Sequence, residues 1–177
     1  MKKILFSQLV LAMLIITACK KNKSDQPETT SGNATLTAGN YGFDGTASLG
    51  KFSSTKVGIT QITVNGLTTF TLSAIKDGSN ESISIVLLQK ITATGTITLT
   101  YNGGTGGIVL SKDYTKPGDM SLNYSTERFS ATGKGGGEIN ITKLDGNTIE
   151  GTFYAIAYNN TGKESFVEQG AFSGKIQ

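Results

Sequence analysis

Apolar and polar residues alternate with a period of two over much of the chain after Ala34. The alternation is clearest in four runs: 82–87, 96–101, 138–142 and 149–155. Phe70 and Leu72 continue the same pattern. Because successive side chains of a β-strand point to opposite faces of a sheet, these runs predict strands with one packed face and one wetter face. The isoleucines and threonines that dominate the runs suit such a pleated surface.

Turn residues separate the predicted strands. Asn65-Gly66 and Asp145-Gly146 lie between alternating runs and are strong hairpin signals, because such pairs tolerate positive φ angles. Three weaker signals of the same kind occur along the chain: Asp44-Gly45, Asp77-Gly78 and Asn102-Gly103. The pattern predicts an all-β domain over residues 34–177, an antiparallel meander of about nine to eleven strands that closes as a barrel or stacks as a sandwich.

One predicted strand is apolar at positions of both faces. Val86 and Leu88 place apolar side chains on the opposite face from Ile83, Ile85 and Leu87. A strand that is buried on both sides gives such a continuous apolar run, so we expect a central strand covered on both faces. The alternative is an exposed apolar stripe that meets a partner.

The first residues have the layout of a secretory leader. Lys2 and Lys3 form a positively charged start, and residues 4–16 are mostly apolar. This apolar stretch is shorter than the roughly 20 residues that a membrane-spanning helix needs. We therefore predict a cleaved signal helix over residues 1–18, rather than a permanent transmembrane helix.

The run Ile16-Thr17-Ala18-Cys19 resembles the lipobox of bacterial lipoprotein signal peptides, which is an aliphatic residue, two small residues and a cysteine. The resemblance implies a diacylglyceryl group on the Cys19 sulfur and cleavage after Ala18. Several acyl chains on one cysteine hold a protein to a bilayer stably, where a single chain binds only marginally. An ordinary leader with an incidental cysteine is the alternative.

Residues 19–33 are polar and lack periodic apolar positions, which predicts a flexible stalk between the lipidated cysteine and the domain. In the Gram-negative lipoproteins that the leader resembles, a residue other than aspartate after the cysteine implies passage to the outer membrane. Here that residue is Lys20. We therefore expect a lipid-anchored protein of the cell envelope, in the outer membrane, and the leaflet stays open.

Charge and glycine content narrow the class of protein further. The chain has 23 glycines and two prolines, as expected for many short strands joined by turns. From Ala34 onward, eleven basic residues balance eleven acidic ones. A neutral domain lacks the positive surface that nucleic-acid binding requires, which argues against nucleic acid as a partner.

Few catalytic chemistries are compatible with this composition. The chain has no histidine, and Cys19 is its only cysteine. This excludes Ser-His-Asp and Cys-His nucleophile systems and histidine-bearing zinc sites. Glu138 and Glu150 lie on neighbouring strands of one predicted hairpin and could serve as glycosidase carboxylates. We interpret them as solvated strand positions, and we expect no enzymatic activity, cofactor or metal.

Three other motifs have a functional and a structural interpretation. Asp113 and Asp119 could bind calcium, but two lysines in the same loop favour plain turns. The glycine clusters 103–107 and 133–137 match no phosphate-binding fingerprint and predict flexible loops. Four tyrosines could form a stacking platform for a ligand, although tyrosine at strand ends is usually structural: Tyr101, Tyr114, Tyr124 and Tyr158.

The runs 137–145, 149–153 and 170–172 form one longer pattern, in which a strand ending in Ile-Thr leads through a turn into a Gly-Thr-Phe strand, and a last strand carries Gly-x-Phe. This pattern is similar to that of small Bacteroidota lipoproteins of uncharacterised function. The resemblance implies a β-rich envelope domain. We expect a module that binds a glycan, a small lipid or an envelope protein, with a carboxylate-dependent glycan hydrolase or a purely structural domain as alternatives.

Overall fold

The computed structural model describes residues 34–45 and 48–177. The predicted signal helix, Cys19 and the stalk lie outside the described residues. Within these two ranges the chain forms β-strands and no helix. The strands are β1 (Thr35–Phe43), β2 (Phe52–Ser54), β3 (Lys56–Val64), β4 (Leu67–Ile75), β5 (Ser82–Leu87), β6 (Gly95–Thr100), β7 (Gly106–Ser111), β8 (Asn123–Ser125), β9 (Gly136–Asp145), β10 (Thr148–Tyr158) and β11 (Glu164–Lys175).

These strands form one antiparallel sheet that curls into a nearly closed barrel, as the all-β prediction expects. Around the barrel the strand order is β2-β1-β11-β10-β8-β7-β5-β4-β3. The circuit closes where the C-terminus meets β3. The Gln177 N–H donates to the Ile59 carbonyl at 3.0 Å, and the Gln61 N–H donates to the Gln177 carbonyl at 3.3 Å.

The predicted meander is interrupted at β6. Consecutive strands pair from β3 to β5, from β7 to β8 and from β9 to β11. In contrast, β6 pairs with β9. Because β10 pairs with β9 over most of its length and with β8 at Tyr158, the β6–β9 pair branches from the barrel wall at β10. The chain then returns to the barrel through residues 101–105.

The two ends of the barrel carry different parts of the chain. At the end that we call proximal, Ala34 begins the domain beside Gly174, and the β3–β4 and β9–β10 hairpins turn. At the distal end, Phe43 of β1 lies beside the start of β11, and β10 ends at Tyr158. Ala34, the first described residue, therefore lies at the proximal end.

The barrel interior is filled by the inward side chains of the alternating runs. Ile83, Ile85 and Leu87 of β5 are at most 1% exposed, as the alternation predicts. Val86 is half-buried, however, and Leu88 is 61% exposed. The expectation that this strand is covered on both faces is wrong. Among the described residues, no second layer packs over this part of the outer surface.

Most of the turn signals mark hairpins. Asn65 and Gly66 adopt φ angles of 51° and 82° and join β3 directly to β4. Asp145-Gly146 turns between the paired strands β9 and β10. Asn102-Gly103 is the exception, because it begins the crossing from β6 to β7, and these two strands pair with other neighbours.

Candidate functional site

Three connections enclose a surface groove where the β6–β9 pair branches from the barrel wall. They are residues 101–105 after β6, residues 126–135 after β8 and residues 159–163 after β10. The groove has a volume of about 420 Å³. Its main lining residues are Tyr101, Glu127, Arg128, Phe129, Asn159 and Asn160. We call it the Tyr101 groove.

The connection over residues 126–135 holds Phe129 in place on a small hairpin. Phe129 and Lys134 form an antiparallel bridge, and the Ser130 N–H donates to the Gly133 carbonyl at 2.8 Å. The braced backbone leaves the Phe129 ring 59% exposed. A large apolar ring that is displayed on an ordered loop is a common feature of binding surfaces.

Tyr101 completes an aromatic pair on the groove wall. Its ring centroid lies 5.3 Å from that of Phe129, with an angle of 63° between the ring planes. The Lys134 ammonium lies 5.8 Å from the Tyr101 centroid, within the range of a cation–π interaction. The pair therefore offers a fixed aromatic surface beside a positive charge.

Glu127 places an unsatisfied acceptor in the same groove. Its Oε1 atom is buried and has no hydrogen-bond partner among the described residues. Gly107 makes room for this side chain, because a Cβ atom there would lie 3.2 Å from the Glu127 Cγ atom. Buried carboxylate oxygens are normally hydrogen-bonded, and leaving one unpaired is unfavourable. An O–H or N–H donor on a ligand in the groove would satisfy it.

The side chains of Arg128 and Asn159 form hydrogen bonds that stabilise the walls of the groove. The Arg128 guanidinium donates to the Asn123 carbonyl at 2.7 Å. The Asn159 side-chain amide donates to the Ser121 carbonyl at 2.8 Å, and its oxygen accepts from the Lys163 N–H at 2.9 Å. These two side chains therefore hold the connections together, whereas the aromatic pair and Glu127 are not used in this way.

The four tyrosines that could have formed a stacking platform lie in different places. Only Tyr101 of the four lines the Tyr101 groove. Tyr124 and Tyr158 are buried with their hydroxyls bonded to carboxylates, so their role is structural. Burial and the neighbouring carboxylate raise the pKa of both phenols, which therefore stay neutral donors. Tyr114 lies on the connection between β7 and β8.

The two candidate glycosidase carboxylates are not brought together. Glu138 pairs across the sheet with Tyr154, four positions along β10 from Glu150. Four residues of extended strand span about 13 Å, whereas glycosidase carboxylates lie roughly 5–10 Å apart. Glu150 is also paired with the Lys143 ammonium at 3.0 Å. Both residues are solvated strand positions, as the sequence favoured.

Asp113 and Asp119 stabilise separate turns. The Asp113 carboxylate accepts the Thr115 hydroxyl at 2.6 Å, and the Asp119 carboxylate accepts the Ser121 hydroxyl at 2.6 Å. These hydrogen bonds lower the pKa of both carboxyls. Within residues 34–45 and 48–177, no three acidic, histidine or cysteine side chains converge as a metal site would need. The described contacts of the two aspartates are those of turn residues.

Parts of the two glycine clusters lie in strands, so the expectation of flexible loops is wrong for these parts. Gly106 begins β7, and Gly136 begins β9. At Gly137 a Cβ atom would lie 2.2 Å from the Tyr154 carbonyl oxygen, which no side chain can do. These glycines let neighbouring backbones approach closely.

Two clusters of partly buried polar groups lie at the distal end. Asp44 is bonded to the Lys112 ammonium and accepts the Tyr124 hydroxyl at 2.5 Å. The hydrogen bonds from Lys112 and Tyr124 lower the pKa of the Asp44 carboxyl. The Tyr41 hydroxyl donates to Glu81 at 2.7 Å in a second cluster. Both clusters cap the aromatic core of the barrel.

Sequence reasoning missed Phe129 and Glu127. One signal could have found Phe129, because it is a single aromatic residue within the mostly polar run 125–132. Glu127 gives no such signal, since only the fold places its carboxylate beside Gly107.

Comparisons with known proteins returned no match: no protein-family model, no curated protein and no solved structure matches this chain. No helix in the described part of the chain is long and apolar enough to cross a membrane. A functional hypothesis must therefore rest on the groove and on the residue pattern of the chain.

Proposed function

We propose that this protein is a cell-envelope lipoprotein, acylated on Cys19 and held in the outer membrane, whose barrel binds carbohydrate in the Tyr101 groove. The observation that carries the binding proposal is the pairing of an exposed aromatic surface with an unsatisfied carboxylate oxygen. Tyr101 and Phe129 supply the surface, and Glu127 supplies the oxygen.

Carbohydrate fits this chemistry better than the other expected ligand classes. A sugar ring has an apolar face of C–H groups that packs on an aromatic ring, and its hydroxyls donate to carboxylates. A lipid chain needs an enclosed apolar cavity, whereas the barrel interior is filled by side chains such as Phe70 and Tyr41. An envelope glycan is therefore the proposed ligand class.

The proposed role is binding without catalysis. A glycosidase needs two carboxyl groups at a defined separation, one on each side of the scissile bond. Among the residues that the structure describes, Glu127 is the one carboxylate that lines the Tyr101 groove. The groove supports retention of a glycan better than its cleavage.

A binding experiment tests the groove. The acylated chain in detergent micelles would be titrated calorimetrically with chito-, manno- and xylo-oligosaccharides. We expect saturable binding of at least one of them, weakened about tenfold by Phe129→Ala, which corresponds to loss of about 1.4 kcal/mol of contact free energy. Glu127→Gln keeps the shape of the side chain and replaces the carboxylate, and should also weaken binding.

Tyr154→Ala is the matched control, because Tyr154 is a comparably exposed aromatic residue on the outer sheet surface, 51% exposed. It should leave affinity unchanged. Equal loss in Phe129→Ala and Tyr154→Ala, or no binding of any of the three sugar series, would contradict the groove assignment.

The anchor is tested separately by intact-mass measurement of the chain extracted from native membranes. We expect a chain that begins at Cys19 and carries diacylglyceryl and acyl groups, while Cys19→Ser should be released from the membrane fraction. A bare thiol at Cys19 would refute the lipoprotein proposal.

A further inference from the structure

Four large apolar side chains are exposed together at the proximal end. Their exposed fractions are high: Ile62 58%, Val64 61%, Leu67 78% and Leu88 61%. Val64 pairs with Leu67 across the β3–β4 hairpin. We call these four residues the hairpin patch.

The strand register makes the hairpin patch continuous. Ile62 pairs with Thr69. In the register of β4 with β5, Phe70 pairs with Leu87. The next residue, Leu88, therefore lies opposite Thr69. Phe70 and Leu87 point into the core, so the alternation turns Thr69 and Leu88 outward. Four neighbouring apolar residues on one outer face form the kind of surface that marks an interaction site.

The surroundings of the hairpin patch carry little charge. Residues 57–75, which include all of the β3–β4 hairpin after Lys56, contain no charged side chain. After Leu88, the next charged residue along the chain is Lys90. An apolar tip with a lysine beside it suits an anionic lipid surface, where the ammonium meets headgroups while the apolar side chains enter the interface.

The position of the hairpin patch relative to the start of the domain indicates which surface the patch would contact. Ala34 and Ile59 both lie beside Gly174, so the domain begins level with the middle of β3. Val64 is five residues beyond Ile59, about 16 Å further along an extended strand. The hairpin tip therefore projects past the point at which the chain enters the barrel.

The length of the stalk is compatible with contact between this tip and a bilayer. The 15 residues from Cys19 to Asn33 span at most roughly 50 Å when fully extended. This exceeds the projection of the hairpin tip. A lipid on Cys19 can therefore lie in the membrane that the tip touches.

We propose that the hairpin patch inserts into the surface of the bilayer to which Cys19 is anchored. This inference rests on the proposed lipid anchor. It orients the molecule, because the proximal end then faces the lipid.

A tryptophan introduced into the hairpin patch tests this contact. The chain has no tryptophan, so a single introduced indole is a unique fluorescent probe. Leu67→Trp places it in the hairpin patch. Leu49→Trp is the matched control, because Leu49 is 50% exposed and its N–H is bonded to the Tyr41 carbonyl, away from the hairpin.

Both variants of the acylated chain would be bound to vesicles of phosphatidylcholine and phosphatidylglycerol, with or without brominated acyl chains. We expect the emission of Leu67→Trp to shift to shorter wavelength on binding and to be quenched by the brominated lipid. The emission of Leu49→Trp should stay unchanged in both respects.

Three outcomes would overturn the inference. If both variants are retained on vesicles and neither is quenched, the anchor stands and the contact fails. A concentration-dependent blue shift of Leu67→Trp without lipid, together with a dimer in sedimentation, would assign the hairpin patch to a second copy of the chain. If the acylated chain is not retained on vesicles at all, the proposed anchor fails, and this inference fails with it.

Discussion

At the scale of single residues, polar side chains at the distal end form the hydrogen bonds and ion pairs that join distant parts of the chain. Asp44 combines a lysine partner with a tyrosine hydroxyl, and Tyr124 has no exposed surface. Hydrogen bonds to a charged acceptor are worth more than neutral ones, particularly when a partner is buried. Asp44 and Tyr124 therefore stabilise the join between the first strand and the β8 region.

Removing the Tyr124 hydroxyl should destabilise the fold. In Tyr124→Phe, the ring keeps its packing, and the Asp44 carboxylate loses a donor. We expect a loss of about 1.5–3 kcal/mol in the free energy of unfolding, measured by urea denaturation at neutral pH. Tyr114→Phe is the control, since no hydrogen bond of the Tyr114 hydroxyl is formed with the described residues, and it should change stability by less than about 0.5 kcal/mol.

The same carboxylate should make stability depend on pH. The pKa of Asp44 is lower in the folded state than in the unfolded state, so the unfolded chain binds the proton more readily. Its stabilising contribution is complete above the unfolded pKa of about 3.9 and is lost as pH falls through the lower folded pKa. Urea unfolding at a series of pH values should show wild type and Asp44→Asn converging in acid. A constant difference between them across this range would contradict the assignment.

At the scale of elements, glycines decide how closely strands can pack. Gly137 in β9 lies against the backbone of β10, and its register pairs it with Ala155. Alternation predicts strands from side-chain polarity alone, so it assigned the cluster around Gly137 to a loop. The close backbone approach that actually requires glycine is a property of two strands, not of one.

Gly137→Ala should therefore destabilise the β9–β10 pair. The added methyl group would lie 2.2 Å from the Tyr154 carbonyl oxygen, and relieving that overlap should cost about 1–3 kcal/mol in thermal or urea unfolding. Gly118→Ala is the matched control, because a Cβ atom there has no neighbour within 4 Å. It should be neutral or slightly stabilising. Equal effects of the two substitutions would contradict the packing explanation.

At the scale of the whole molecule, the C-terminus closes the barrel. Gln177 bonds to the backbone of β3 on both sides of Thr60, and Ile176 packs against the core. Without this contact, the sheet would have an open edge at β3, which is a common cause of aggregation. The closing contact also joins the proximal end, from which the hairpin patch projects, to the rest of the wall.

Deleting Ile176 and Gln177 should weaken the closure locally. We expect a loss of about 1–3 kcal/mol in unfolding free energy, from three backbone hydrogen bonds and one partly buried side chain. Hydrogen exchange should accelerate at the Gln61 amide, while the Ile108 amide in β7, three strands from β3 along the wall, keeps its protection. Unchanged protection at Gln61 would contradict the closing role of the C-terminus.

Local patterns determined much of this fold in advance. The alternation around Ile83 identified which side chains face the core, because the direction of a side chain along a strand depends only on its position in that strand. Asn65-Gly66 identified a hairpin because its positive φ angles are intrinsic to those residues. The leader and Cys19 are likewise a contiguous pattern, and they support the anchor proposal on their own.

Only the tertiary structure decided how the strands are connected in space and where the candidate site lies. β6 pairs with β9, so three connections that are distant in sequence meet beside the branch point of the sheet and bring Tyr101 beside Phe129. The exposure of Leu88 was likewise decided by the absence of a covering layer within the described barrel, not by its strand. Polarity and turn propensity act over a few residues, whereas pairing and burial depend on which distant segments become neighbours, and that is why the groove and the hairpin patch emerged only with the fold.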